Sequence, residues 1–473
     1  MLAIVIKSWK SGQNNRIKKN FIKKGDTMKN DSQYQKMTET PVPRLVTVLA
    51  VPTILSMLIT SLYNLVDTYF VAKLGTAASG AIGIVFSVMA MIQAIGFTIG
   101  MGAGSTISRL LGKKKEEEAQ KVASSALTAS ILSGIIFAVL AIVFLEKLML
   151  LLGATETILP YALEYARIIL YASPVMMASF VLNNLLRSEA KTKYSMIGIG
   201  VGGVINAALD PLLIFCFDMG IKGAALATAL GQAVGFLALL SFYLMKKTII
   251  RFSLRNIARE TSIYKVFLLN GMPSFFRQGL ASVAAVALNR VAAAQGDEVV
   301  AAMSIVGKIF MVVFCALIGF GQGFQPVAGY NYGAKKPERV KLACRFTLIA
   351  GTLGMAVMGA LVFFLAPWLM EAFGTGDEAV AQIGVMALRM QSLAMPFMPL
   401  GIVCNMLFQA VGKSVVSTFL AACRQGVFFL PAIFLFPKFF GIIGIELAQP
   451  LADVATLLTC IPFYIGFLKK IKS

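Results

Sequence analysis

Histidine is absent from this chain of 473 residues, and acids are scarce, with 22 Asp+Glu against 43 Lys+Arg. Without imidazole the usual charge switch near neutral pH is missing, so any proton relay must run on carboxylates. The six cysteines, Cys216, Cys315, Cys344, Cys404, Cys423 and Cys460, form no CxxC pair and lie in or beside apolar runs. Zinc, iron–sulfur and disulfide frameworks are therefore not expected. Charge as a whole is thin. Charged residues make up 14% of the chain, where a soluble domain carries about 25%.

Two nucleotide motifs fail as well. Gly412-Lys413-Ser414 ends like a phosphate-binding loop, but Leu407 stands where that loop needs glycine. Gly198-x-Gly200-x-x-Gly203 lies inside an apolar run, where small residues serve close helix packing. The ten-residue alternation of an outer-membrane barrel is also missing.

What remains is apolar. Hydrophobic residues make up 58% of the sequence, with a mean hydropathy of +0.79, more than a water-soluble core can hide. Stretches long enough to span lipid occur at 44–72, 78–107, 120–145, 159–187, 194–217, 222–245, 264–293, 299–330, 340–366, 384–411, 415–437 and 442–468. The fold expected is an all-α polytopic membrane protein of twelve transmembrane helices.

The net charge of +21 would suggest nucleic acid in a soluble protein. Here the basic residues cluster in alternate short loops, so lipid is the expected partner and nucleic acid is not. Arg109, Lys113–Lys115, Arg187, Lys191, Lys246, Lys247, Lys335, Lys336 and Lys413 lie on one side; only Lys73, Lys147, Lys222 and Lys438 lie on the other. That bias predicts both termini in the cytoplasm. Met28 and Met37 are both candidate starts; the purine-rich codons possible for Lys24-Gly25-Asp26 resemble a ribosome-binding site, which favours Met28 and would leave 1–27 untranslated.

The halves repeat at a spacing near 221 residues. Pro52 matches Pro273, Gly112-Lys113-Lys114 matches Gly333-Ala334-Lys335-Lys336, Pro174 matches Pro396, and Gly220-x-x-Gly223 matches Gly441-x-x-Gly444. Six spans per half relate the halves by an axis along the membrane normal, with a cavity between them. The expected organisation is a cytoplasmic segment over 1–43, an N-terminal lobe over 44–245, a linker over 246–263, a C-terminal lobe over 264–468 and a tail over 469–473.

Four acids lie deep in apolar spans: Asp67, Asp210, Glu446 and Asp453. Such residues are functional candidates by default. Tyr63, Asn64 and Asp67 share a helical face, as do Asn206 and Asp210. If the faces meet, they make an oxygen-rich pocket suited to Na⁺, and a carboxylate removed from water also takes up a proton. The second half carries no matching acid, since Leu288 stands 221 residues after Asp67. It offers Arg277, Gln278, Arg290, Lys308, Arg389 and Arg424 instead. Tyr63, Asn64, Asn183, Arg277, Gln278, Met311, Met390 and Met398 are the expected cavity residues; flexible methionines suit varied lipophilic ligands.

At these residues the chain resembles the multidrug and toxic compound extrusion (MATE) family, in its DinF-related, MepA-like bacterial branch. The resemblance covers about residues 38–468 and rests on Pro52 with Asp67, Asn206-x-x-x-Asp210-Pro211 and Gly223-Ala-Ala-Leu-Ala-Thr228. It implies two pseudo-symmetric six-helix bundles in the bacterial inner membrane. It also implies export of cationic or lipophilic drugs against Na⁺ or H⁺, with no cofactor and no catalytic residue. By resemblance, Asp67, Asn206, Asp210 and Thr228 form the cation site and Pro52 marks a bend in the first helix. A monomer is expected. A flippase for a lipid-linked saccharide is the competing expectation, kept open by Arg277, Arg290, Lys308 and Arg389.

Overall fold

The computed structural model describes residues 31–372 and 377–471, apart from the side chains at 65 and 72. The expected start at Met28 and the segment before residue 31 lie outside the described residues. The described residues contain helices and connecting turns, with no strand. Twelve helices are long: α1 (Val42–Ala72), α2 (Thr76–Gly112), α3 (Glu116–Val143), α4 (Leu159–Ser188), α5 (Thr192–Cys216), α6 (Gly220–Leu244), α7 (Thr261–Ala293), α8 (Asp297–Gly333), α9 (Pro337–Ala372), α10 (Glu378–Ala410), α11 (Ser414–Phe440) and α12 (Ile442–Lys470). Each expected span matches one of them; 120–145, 194–217, 222–245 and 384–411 run one or two residues past the helix end.

Eleven of the twelve are long and apolar enough to cross a bilayer. The other, α7, is 33 residues long, and Asn270, Arg277 and Gln278 dilute its apolarity. Helix α10 is interrupted by a tight 3₁₀ turn at Met395–Phe397. Leu132, Ile136, Val139, Leu140 and Val143 on α3 are exposed, as are Leu353, Val357, Leu361 and Phe364 on α9. Apolar side chains facing outward at helical spacing are what lipid requires. This is a multi-pass membrane protein.

The repeat is written into the backbone. Left-handed residues recur in pairs: Gly75 with Gly296, Lys114 with Lys335, Ala190 with Gly412, and Gly220 with Gly441. Lys114 (φ 58°) and Lys335 (φ 54°) end α2 and α8. In both turns the next amide closes back onto the helix, from Lys115 to Leu110 and from Lys336 to Asn331, each at 2.9 Å. Side chains repeat too. The Asn183 amide donates to the Ser195 hydroxyl at 2.7 Å, and its counterpart Asn405 donates to the Ser417 carbonyl at 2.8 Å.

The halves touch through glycine. A methyl group on Gly102 of α2 would run into the Phe267 carbonyl and Gly271 of α7, and one on Gly271 would meet the Thr98 carbonyl. The same crossing recurs with the halves exchanged, Gly323 of α8 against Ala50 of α1 and Gly319 against Ile54. Gly112 and Gly333 meet each other's helices at Tyr330 and Arg109. Without side chains, backbones approach closely and gain dispersion energy that lipid cannot match. All these contacts lie toward one end of the four helices, at the start of α1 and α7 and the finish of α2 and α8.

A helical segment over 31–39 bridges the halves at that same end. Gln33 donates to the Glu189 carbonyl of the first half at 2.9 Å. Asn331 donates to the Met37 carbonyl at 3.1 Å and Arg339 to the Thr40 carbonyl at 2.6 Å, both from the second half. Met37 is fully buried. The stretch between α6 and α7 lies on the first half, where the Ala258 amide donates to Ser125 Oγ at 2.8 Å.

Candidate functional site

Four helices of the first half converge on a cluster of oxygens. Glycines allow it: a methyl group on Gly203 of α5 would press on the Tyr63 ring of α1, and one on Gly231 of α6 would strike Asn206 of α5. Asn206 and Asp210, one helical turn apart on α5, face α6, where Thr228 meets them. The Asn206 amide donates to Asp210 Oδ1 and to Thr228 Oγ1, each at 3.4 Å. Asp210 has no exposed surface, Asn206 and Thr228 are buried, and Asp67 of α1 is near enough to act on the charge of Asp210.

The hydrogen bonding of this cluster is incomplete. Asp67 Oδ1, Asn206 Oδ1, Asp210 Oδ2 and the Tyr165 hydroxyl are buried and lack a partner. Buried acceptors are normally satisfied, and leaving one bare costs about 1–3 kcal/mol. Among the described residues no Lys or Arg forms an ion pair with either aspartate. Two carboxylates sharing a low-dielectric site cannot both stay charged without a cation. Every unpartnered atom is an oxygen, which suits Na⁺ or a proton and no soft metal. No group of three or more His, Cys, Asp or Glu with metal-binding arrangement occurs among the described residues.

Tyr63 is half-buried beside Asp67, with its hydroxyl directed to Gln232 of α6. Tyr165 of α4 is fully buried and faces Thr228, Asp67 and Asp210. Sequence reasoning missed Tyr165 and Gln232, because nothing in their spacing ties α4 or α6 to Asp67; a lone polar residue in an apolar run was the available signal. Pro52 is buried within α1, which stays helical through it, and its carbonyl accepts from Ser56 Oγ at 2.8 Å.

The remaining expected cavity residues scatter. Asn64 is half-buried on α1. Asn183 is buried and held by Ser195, so its amide joins α4 to α5. Met311 is exposed on α8 and Met390 half-buried on α10. Arg277, Gln278 and Met398 do converge, on a cavity of about 60 Å³ walled by helices of the second half. Arg424 and Asp453 line it as a pair, Nε to Oδ1 at 2.6 Å, so Asp453 is neutralised. Glu446 is buried with Oε2 unpartnered, Arg389 lies over the Phe363 ring at 5.4 Å, and Lys308 is exposed.

Comparison with known proteins agrees with both halves of this architecture. The family model described as MatE matches residues 52–212 and again 273–435. The multidrug export protein MepA of Staphylococcus saprophyticus is 27% identical over 85% of this chain and 89% of its own length. MepA of Staphylococcus aureus is 24% identical over 90% of this chain and 95% of its own length. A crystal structure of a MATE in complex with MaL6 superposes with a TM-score of 0.89 at 25% identity, covering 93% of this chain and 98% of that one. The outward-facing conformation of a multidrug resistance MATE family transporter gives 0.88 at 24% identity over the same shares.

Proposed function

The chain belongs to the MatE family, in its MepA-like branch, and from that premise we propose that it exports cationic or lipophilic small molecules across the bacterial inner membrane in exchange for Na⁺ or H⁺. The relatives are named as export proteins, not enzymes. The observation that carries the reading is the oxygen cluster of Asp67, Asn206, Asp210 and Thr228, buried yet short of partners. An ion gradient does work only if the ion binds one conformation better than the other. A site that needs a cation to settle its charge has that property. When occupied, it holds α1, α5 and α6 together through shared oxygens. When empty, the repulsion of two carboxylates favours separation of those helices.

Helix α1 links this event to the interface between halves. It carries Asp67 near one end and the close contact of Ala50 and Ile54 with α8 near the other. Pro52, inside that contact, removes one helical hydrogen bond, which makes it the natural place for α1 to bend. Cation uptake at Asp67 therefore biases the α1–α8 crossing and with it the side on which the halves part. Orientation with both termini in the cytoplasm follows the positive-inside bias.

The test is ethidium efflux from vesicles holding the purified protein, under imposed Na⁺ and H⁺ gradients separately. Efflux driven by one gradient, abolished by an ionophore and lost in Asp67→Asn and Asp210→Asn, is the expected result. Efflux undiminished in both variants would defeat the coupling role of the cluster.

A further inference from the structure

The seam between the halves carries arginine without acid. Arg187 of α4 keeps only 4% of its surface exposed. Its hydrogen bonds run to Gln322 of α8 and to Asn184 on its own helix, both through amide oxygens. Arg277 of α7 lies within electrostatic range of it and donates to Asn405 Oδ1 at 3.0 Å and to Met101 Sδ at 3.5 Å. Arg109, near the finish of α2, donates to the Ala410 carbonyl at 2.7 Å and to Thr106 Oγ1 at 3.2 Å. Every one of these partners is neutral, and among the described residues none of the three arginines forms an ion pair. Arg424 shows the usual remedy: it has Asp453 at 2.6 Å and lies over the Phe314 ring at 4.5 Å. A buried charge without a counter-charge is expensive.

Beside Arg187 lies a small cavity of about 20 Å³, between α2 and α4 of the first half and α8 of the second. Met101, Ser105, Asn184, Arg187, Gln322 and Gln325 stand on its walls, and no Asp or Glu lines it. A space of about 10–15 Å³ holds one water, so there is room for one water or one small ion and nothing larger. Gly104 brings α2 close to α4 here, since a methyl group on it would stand 3.2 Å from the Asn184 carbonyl and 3.5 Å from Ser188 Cβ.

The walls offer donors. A guanidinium has five N–H groups, and Arg187 spends one each on Gln322 and Asn184, which leaves three. Gln322 is held by its oxygen, and among the described residues its amide nitrogen has no partner. The serine hydroxyls give their protons to carbonyls, Ser105 to Gly102, Ser108 to Gly104 and Ser188 to Leu185, and add no charge. A water in this space satisfies hydrogen bonds but leaves the charge of Arg187 standing. An anion answers both.

We propose that this seam cavity binds one small inorganic anion of the size of chloride, held by the Arg187 guanidinium and the Gln322 amide, with the charge of Arg277 behind Met101 in support. Its donors come from both halves, so the bound anion ties the halves together at this end. The site is distinct from the cation cluster of Asp67 and Asp210, and its existence does not depend on the export reading.

The test is the quadrupolar broadening of the chloride NMR signal by the full-length protein in lipid nanodiscs. Saturable broadening that bromide displaces and gluconate does not is the expected result. Arg187→Gln is expected to weaken chloride binding roughly tenfold or more, the worth of a charge-assisted hydrogen bond. Gln322→Glu sets a carboxylate on Arg187 from within and is expected to remove the saturable broadening while the protein stays folded. Chloride in place of gluconate at equal ionic strength is expected to raise the thermal unfolding midpoint of the unmutated protein, because the anion binds only the folded chain, and to leave that of Gln322→Glu unmoved. Absence of saturable broadening in the unmutated protein overturns the proposal, whether or not Arg187→Gln folds. Broadening that persists unchanged in either variant overturns it as well, since it then arises at surface lysines. A midpoint that chloride does not raise in the unmutated protein refutes the tie between the halves.

Discussion

Replacing Gly102 with alanine adds a methyl group where α2 and α7 leave no room for one. The new carbon would fall against the Phe267 carbonyl and the Gly271 backbone, inside the usual carbon–oxygen separation of about 3.3–3.6 Å. These obstacles are main chain in the middle of a helix and cannot swing aside as a side chain does. Overpacking of this kind costs about 1–3 kcal/mol. The gain in helix propensity from Gly to Ala, up to about 1 kcal/mol, is common to both conformations and cancels. The cost falls only on the arrangement in which the halves are closed at this end, so the ratio of closed to open should drop by about 5–150-fold. The assay is maleimide labelling of a cysteine introduced at Ser105, which is buried one turn further along α2. Exposed Cys216 and half-buried Cys315 are first replaced. Gly279→Ala is the control, because a methyl group there meets nothing within 4 Å. Faster labelling in Gly102→Ala, and unchanged labelling in the control, is expected. Equal labelling rates in both would refute the idea that glycine crossings hold this end shut.

The exchanged crossing should behave alike, with Gly323→Ala accelerating the same labelling, because Ala50 of α1 blocks the added carbon. Thr228→Val removes one oxygen from the cluster and the partner of Asn206. It should raise the driving-ion concentration for half-maximal ethidium efflux by roughly tenfold, about one hydrogen bond. Arg424→Gln strands the buried Asp453 and should lower stability by about 3 kcal/mol, read as a fall in the thermal unfolding midpoint. Adding Asp453→Asn should recover most of that loss; no recovery would show that Arg424 acts through packing on Phe314 and not through charge.

Much of the fold was legible because lipid imposes a simple rule. A span must be apolar for about twenty residues and must satisfy its own backbone, so composition alone found all twelve helices. Their ends were less legible. Helix α8 runs from Asp297 to Gly333, beyond the apolar run 299–330, since a helix continues through charged residues once it leaves the hydrocarbon. The repeat was visible through prolines and glycines, the residues whose backbone roles are hardest to substitute. The oxygen cluster was half legible. Asn206 and Asp210 share a face by periodicity, but Tyr165 and Gln232 join only through packing between helices distant in sequence. Asn183 shows the converse: a polar residue in an apolar run that serves the joint between two helices. The Arg424–Asp453 pair was likewise beyond reach, since 29 residues separate the partners and no spacing rule connects α11 to α12.

The bridging segment before α1 has a consequence for how the chain matures. Met37 waits for Asn331, 294 residues downstream, and Thr40 for Arg339, 299 residues downstream. A growing polypeptide that has inserted its first six helices holds the Glu189 anchor for Gln33 but none of the second-half ones. This stretch, made before α1, therefore settles late, after α8 and α9 have entered the bilayer, and its seating marks the moment when the two bundles become one body.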